Sequence, residues 1–533
     1  MEKRAVLRSA FVVGGFTSLS RLLGMVRDLL TAGVFGLSLP MSAFVVAFRI
    51  PNLFRRMFGE GALSSAFIPV FVETREREGD AAGWEFANRI ISLVTTVLVM
   101  VALAGMLVMT LLIPGAEPGS QKEMIYPLTR LMLPYMLFIC LAALSMGMLN
   151  SYHHFAVPAF TPSLLNITWI LALVFLCPRL GDTPEEQIFG LAWGVLVAGL
   201  LQLAFQVPVL RRYGYRPQWS FAWRDPKVIR VFLLMGPATL GLAITQINVM
   251  VNSLLAVWIG PWAPAALFYS ERLLYFPQGI LATAMSTVLL PVFARQAARA
   301  DRSQLLETMN HSLRVLWFVM APAALGLLVL ARPIVQMLFE WGRFDETSTE
   351  LTGLALQCYA PGLLIFSLAK IFVPAFYAQQ DMKTPVKVGV MCVLLNLILN
   401  IVFLLTLPLY WKHAGLAFAT VIAELVNGVI LGWYVHRRMG SPGWKTMLQS
   451  AARALGAAVL MAVTIYLLYP VVQGAAMAWI GVPKLAQIAS VMTLLIVGMG
   501  VFTLAAWMFR CPEIEDILNA MKRRREGERI KKG

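Results

Sequence analysis

A chain of 533 residues that is 59% hydrophobic and 14% charged, with a mean hydropathy of +0.73, fits no water-soluble class. A net charge of +16 would suit nucleic acid, but the basic residues lie in short connections between apolar runs, where they set topology and meet anionic lipid. No nucleic-acid partner is expected. The five cysteines (Cys140, Cys177, Cys358, Cys392 and Cys511) are too scattered to predict a disulfide framework or a metal site.

A membrane helix needs about 20 mostly apolar residues. That ruler places fourteen spans at 8–35, 40–58, 88–113, 127–150, 158–177, 187–210, 230–257, 264–292, 310–330, 350–377, 386–407, 414–435, 450–470 and 485–509. The expected fold is an all-α polytopic membrane protein. The basic and apolar start continues past Arg21 as a retained helix without a small-residue cleavage site. Short interfacial pieces are expected at Gly61–Phe71 and Ile334–Phe339, and a basic tail at 511–533.

The first two spans carry the densest charge: Arg21, Arg27, Asp28, Arg49, Arg55, Arg56 and Glu60. Ionised groups facing lipid cost a few kcal/mol or more, so such residues line a bundle interior or a watery cavity. At about 100° per residue, Arg49, Asn52, Arg56 and Glu60 share one helical face with Arg55 beside it. Arg21 and Asp28 share a face of the preceding helix. Several guanidiniums, each a planar fork of donors, suit a phosphate or diphosphate better than a metal or a neutral sugar.

Further along, AFVVAFR (43–49) followed by PVF (69–71) recurs as ALFYSER (266–272) followed by PVF (291–293). A weaker echo links SYHHFAVPAFTPSLLN (151–166) with FYAQQDMKTPVKVGVMCVLLN (376–396). Six spans per copy predict two six-helix lobes of parallel topology, 1–225 and 226–440, with helices 13 and 14 added over 441–510. The repeat matches Arg272 to Arg49 and puts Glu271 beside it. A cleft between the lobes would receive positive charge from both. Among the other polar residues in spans, Asn396, Asn400 and Thr420 form a candidate cation site, while Glu424 and Asn427 read as interhelical hydrogen bonds. Basic loops at 211–230, 294–302, 436–445 and 522–532 place both termini in the cytoplasm. No Walker A sequence, G-x-S-x-G elbow or H-E-x-x-H is present, so no enzymatic chemistry and no cofactor are expected.

The segments SRLLGMVRD (20–28), AFRIPNLFRRMFGEGALSSAFIPVF (47–71), FYSERLLYFPQGIL (268–281) and FYAQQDMKTPVK (376–387) resemble the signatures of the MurJ (MviN) lipid II flippase family, in the multidrug/oligosaccharidyl-lipid/polysaccharide exporter superfamily. The resemblance runs through essentially the whole chain. It implies twelve core helices in two lobes, with two C-terminal helices forming a groove for the lipid tail. It also implies movement of lipid II, an undecaprenyl diphosphate bearing a disaccharide-pentapeptide, from the inner to the outer leaflet of the bacterial cytoplasmic membrane for peptidoglycan synthesis, beside membrane lipids and cell-wall synthesis proteins. The family's essential cavity arginines fall on Arg21, Arg27, Arg55 and Arg272, with Asp28, Arg49, Asn52, Arg56, Glu60 and Glu271 as support. Where the family often has an aspartate early in helix 2, this chain has Ser42. An exporter of another polyprenyl-diphosphate glycan, of the O-antigen type, or a drug antiporter would share the fold, although a cationic-drug exporter calls for a carboxylate-dominated cavity.

Overall fold

The computed structural model describes residues 2–59, 62–299 and 301–514, and every regular element among them is helical. The packing divides the chain into two compact units. The first comprises the chain up to Ala265 together with Trp341–Asp345. It contains α1 (Glu2–Phe35), α2 (Leu39–Phe54), α3 (Ala62–Glu78), α4 (Asp80–Leu112), α5 (Gln121–Met132), α6 (Tyr135–Ser151), α7 (Ala156–Leu171), α8 (Cys177–Leu180), α9 (Pro184–Ala204), α10 (Val207–Arg212) and α11 (Pro226–Ile259).

In this unit α1 packs on α7, α2 on α5, and α11 on α3 and α2. Ser38 and Pro40 start α2: the Ser38 hydroxyl accepts the Met41 N–H at 3.4 Å, and proline at the helix start forgoes a donor that has no helical partner there. The core is aromatic, with Trp169 edge-on to both Phe44 and Phe48. The segment Trp341–Asp345 lies against the end of α1. Arg343 N–H donates to Gly33 O at 2.8 Å. A Cβ at Gly33 would stand 2.3 Å from the Trp341 ring, and one at Gly342 (φ +61°) 2.3 Å from Gly33 O, so the approach requires both glycines.

The second unit holds α12 (Ala263–Ala298) from Ala266 on, α13 (Arg302–Phe339), α14 (Glu346–Tyr359), α15 (Gly362–Ala378), α16 (Lys383–Thr406), α17 (Leu409–Met439), α18 (Trp444–Ile480) and α19 (Pro483–Met508). The helices α18 and α19 pack on each other and on α13 around Phe318, Leu330, Met461, Ile465, Leu494 and Phe502. Glu513, fully buried, accepts Arg314 Nε at 2.8 Å and the Ser450 hydroxyl at 2.6 Å, fastening the end of the described chain to α13 and α18.

Eight described helices are long and apolar enough to cross a membrane, or ten when the bent pairs α5–α6 and α14–α15 each count as one span. The four further expected spans, 8–35, 40–58, 230–257 and 264–292, coincide with α1, α2, α11 and α12, so fourteen is consistent with this set. The bends, 40° and 44°, fall at Pro134 and Pro361, whose missing N–H leaves a gap in the helical ladder and whose ring crowds the carbonyl four residues earlier. Each bent pair ends in the same turn. His153 (φ +59°) and Gln380 (φ +61°), 227 positions apart, are left-handed, and His154 N–H reaches Leu149 O just as Asp381 N–H reaches Phe376 O, both at 3.0 Å. The weaker sequence echo at 151–166 and 376–396 therefore has a structural counterpart.

Two expectations change. Of the expected piece Gly61–Phe71, the described residues, from Ala62 on, are the first part of a 17-residue helix, α3, that continues to Glu78. Ile334–Phe339 is not a separate piece but the last turns of α13, which passes through Pro333 without ending. Buried Leu330, Ala331, Val335 and Phe339 keep the helical register, and Gln487 Nε2 donates to Pro333 O at 3.3 Å. Beyond Ile514 the expected basic tail lies outside the described residues.

Candidate functional site

The charged stretch of α1 is organised around Arg27. The residue is only 8% exposed, a position that an ion tolerates when it is paired and hydrogen-bonded. Nε and Nη2 donate to Asp28 Oδ1 at 2.9 and 2.6 Å, Nη1 donates to Asn166 Oδ1 at 3.0 Å, and the guanidinium carbon stands 4.8 Å from the Trp169 ring centre. Asn166 in turn donates to Ser20 O at 2.8 Å, and Trp169 Nε1 to the Thr31 hydroxyl at 3.0 Å. Arg27 thus joins α1 to α7. Sequence reasoning missed Asn166 and Trp169; their signal is a polar and an amphipathic residue three apart, on one face of α7. Arg21, on the same helix, is exposed, whereas Asp28 is buried.

On α2 the predicted cationic face holds only in part. After Phe54 the helix continues as a π-turn, Arg55–Gly59, whose i→i+5 bonding places more residues in each turn than an α-helix. The 100° spacing that grouped Arg49, Asn52, Arg56 and Glu60 therefore does not extend past Phe54. Arg55, not Arg56, meets Asn52, with Nε donating to Oδ1 at 2.8 Å. Arg49 Nη1 donates to Val249 O of α11 at 3.2 Å. Arg55 and Arg56 are half-buried, and Glu60 lies outside the described residues.

In the second unit Arg272 stands over Phe268, one turn earlier on α12, at 4.6 Å from guanidinium carbon to ring centre. Glu271 beside it accepts the Tyr359 hydroxyl at 3.4 Å. Asn396, Asn400 and Thr420 do come together: Asn400 Nδ2 donates to Asn396 Oδ1 at 2.9 Å, and Asn396 Nδ2 to the Thr420 hydroxyl at 3.4 Å. Asn427 pairs with Glu424 at 3.1 Å inside α17, so that bond is intrahelical, as their three-residue spacing allows.

Ser42 is fully buried, and its hydroxyl accepts the Ala265 N–H at 3.2 Å. Ala265 is the third residue of α12, where an N–H lacks a helical acceptor. Position 42 therefore supplies a cap to another helix. A carboxylate could fill the same role.

These features define a polytopic membrane protein with a transporter fold. At 14% identity and a TM-score of 0.63, over 82% of this chain and 99% of the other, the fold matches an inward-facing multidrug resistance MATE family transporter of the MOP superfamily. The profile of the lipid II flippase MurJ family matches residues 31–485, and the chain belongs to that family. It is 35% identical over 469 residues to lipid II flippase MurJ of Burkholderia cenocepacia, covering 86% of this chain and 89% of the relative. A solved structure of lipid II flippase MurJ in an inward closed conformation superposes with a TM-score of 0.74 at 24% identity, over 95% of this chain and 100% of that one.

Proposed function

We propose that this protein flips lipid II, the lipid-linked peptidoglycan precursor, from the inner to the outer leaflet of the cytoplasmic membrane by alternating access. Membership of the lipid II flippase family over residues 31–485 carries this reading. Physics gives it a mechanism: a diphosphate cannot cross about 30 Å of hydrocarbon unaided, so cationic, hydrated groups must replace its water while the lipid tail stays in apolar surroundings. Arg21, Arg27, Arg55 and Arg272 bind the diphosphate, with Asp28, Arg49, Asn52, Arg56, Glu60 and Glu271 holding or balancing them. Asn396, Asn400 and Thr420 offer neutral oxygens to a coupling cation. Movement of lobe 1–225 against lobe 226–440 would carry the substrate across, and helices 13 and 14 would hold its tail. Both termini are cytoplasmic, the protein performs no catalytic step of its own, and it works beside cell-wall synthesis proteins.

The test is rescue of a peptidoglycan-making bacterium depleted of its own lipid II flippase. Growth, together with appearance of lipid II in the outer leaflet, is the expected result. Full-level expression in the membrane without rescue would refute the reading.

A further inference from the structure

One segment of the first unit carries chemistry that substrate transport does not use. After α10 the chain turns at Gly214 and runs without regular structure to Asp225, where α11 begins. It is held against α4 by residues spaced four apart, and therefore on one ridge of that helix. Trp84 Nε1 donates to Tyr213 O at 3.1 Å and Asn88 Nδ2 to Arg216 O at 2.9 Å, while Ser220 N–H donates to Ser92 Oγ at 3.1 Å. Buried Tyr215 packs on Trp84 with ring centres 5.4 Å apart, and Arg89 of α4 pairs with Asp225 as the segment returns.

With the backbone pinned in this way, alternate residues from 219 to 223 turn outward. Trp219 is 69% exposed, and Phe221 and Trp223 are each 63% exposed. The rings of Trp219 and Phe221 stack at 6.0 Å, and the guanidinium carbon of Arg224 lies 4.6 Å from the Trp223 ring centre. A single exposed apolar residue needs no explanation, but three large aromatics forming one edge of an anchored segment do.

Their place along α4 points to the occupant. The exposed apolar face of α4 begins at Val97 and continues through Met100, Val101 and Leu103. Ser92 lies about 7.5 Å before Val97, at 1.5 Å rise per residue. The aromatic edge therefore sits beside the border of the helix's lipid-facing zone, where tryptophan rings collect at membrane interfaces. The exposed guanidiniums of Arg211, Arg212, Arg216 and Arg224 add the charge that anionic headgroups attract.

We propose that residues 213–225 form an interfacial lipid-binding strap. Trp219, Phe221 and Trp223 enter the boundary between headgroups and acyl chains, and Arg216 and Arg224 hold anionic phospholipid headgroups. The occupant is bilayer phospholipid rather than the transported substrate, and the orientation proposed above determines only which leaflet supplies it.

The test uses the full chain with Phe221→Cys carrying a bimane label, reconstituted in phosphatidylcholine vesicles with or without phosphatidylglycerol. A label at Glu117→Cys, an exposed site, serves as the water-facing reference. The label at 221 should be quenched by doxyl-labelled phospholipid and shielded from aqueous iodide, with doxyl-phosphatidylglycerol the stronger lipid quencher. Arg216→Gln and Arg224→Gln together should remove that preference, each charge being worth about fivefold in headgroup association. Iodide access at 221 equal to that at 117, without lipid quenching, would overturn the strap and leave the aromatic edge to a soluble partner. Equal quenching by the two doxyl lipids would overturn the anionic site. If Phe221→Cys does not fold, Trp223→Cys carries the same label and reads the same outcomes.

Discussion

Arg21 and Arg27 belong to one motif, yet they should fail in different ways. Arg27→Ala takes two hydrogen bonds from the buried Asp28 carboxylate and one from Asn166, a loss of about 1.5–3 kcal/mol for a charged hydrogen bond, so folded protein should fall together with flipping. Arg21→Ala removes an exposed side chain and should cost less stability than Arg27→Ala, so its effect should be seen chiefly in transport. Thermal melting in detergent, run beside a flipping assay on the same preparations, separates the two. Ser42 gives a second contrast. Ser42→Ala removes a cap from α12 and should cost about 0.5–2 kcal/mol, whereas Ser42→Asp keeps an acceptor for Ala265 N–H and favours the positive end of the helix dipole. Transport retained in Ser42→Asp with lowered stability in Ser42→Ala is the expected pair. Equal melting of all three proteins would show that the cap contributes nothing. The sequence motif exposes these residues but not their duties, because the acceptor that meets Arg27 lies 139 positions away and the N–H that meets Ser42 lies 223 away.

Elements were legible where hydropathy decides, as in the long apolar helices, whereas the bends at Pro134 and Pro361 fall inside stretches read as single spans, 127–150 and 350–377. They were misread where tertiary packing overrides a local breaker. Pro333 looks like an end, but buried side chains on both sides of it keep α13 helical, and Lys484 Nζ donates to Gln336 O at 2.7 Å and Glu340 O at 2.9 Å just where the helix stops. The π-turn after Phe54 was equally hidden, since hydrophobic pattern records an α-helix and carries no mark of one wider turn. The start of α16 offers a prediction in pH. Burial works against the charged form of Asp381, but the Thr384 hydroxyl and N–H and the Arg438 guanidinium outweigh it and hold the carboxyl below its ordinary 3.8. A depressed native value means that the stabilisation is present above that ordinary value and is lost as pH falls through the native one. The melting-temperature gap between the natural protein and Asp381→Asn should therefore be full near neutrality and close below about pH 4. A gap unchanged at acid pH would mean that the carboxylate charge is not what stabilises the turn.

For the molecule as a whole, the basic loops make orientation testable. A membrane-impermeant thiol reagent added to intact cells should not reach a cysteine placed within 213–222, and labelling there would invert the proposed topology. The two turns at His153 and Gln380 bear on ancestry. A left-handed conformation costs an ordinary residue roughly 1–2 kcal/mol. Arg510 (φ +52°) closes α19 with the same bond, Cys511 N–H to Ala506 O at 2.9 Å, so the conformation alone marks no repeat; it is the proline-bent pair before each of His153 and Gln380, and their 227-position spacing, that descent from one duplicated segment explains. Neither lineage has since relaxed the strain. Glycine at 153 and at 380 should then each raise stability, by about 0.5–1 kcal/mol, and the two gains should add, because sites so far apart in the chain with no common partner behave as separate copies of one inherited turn.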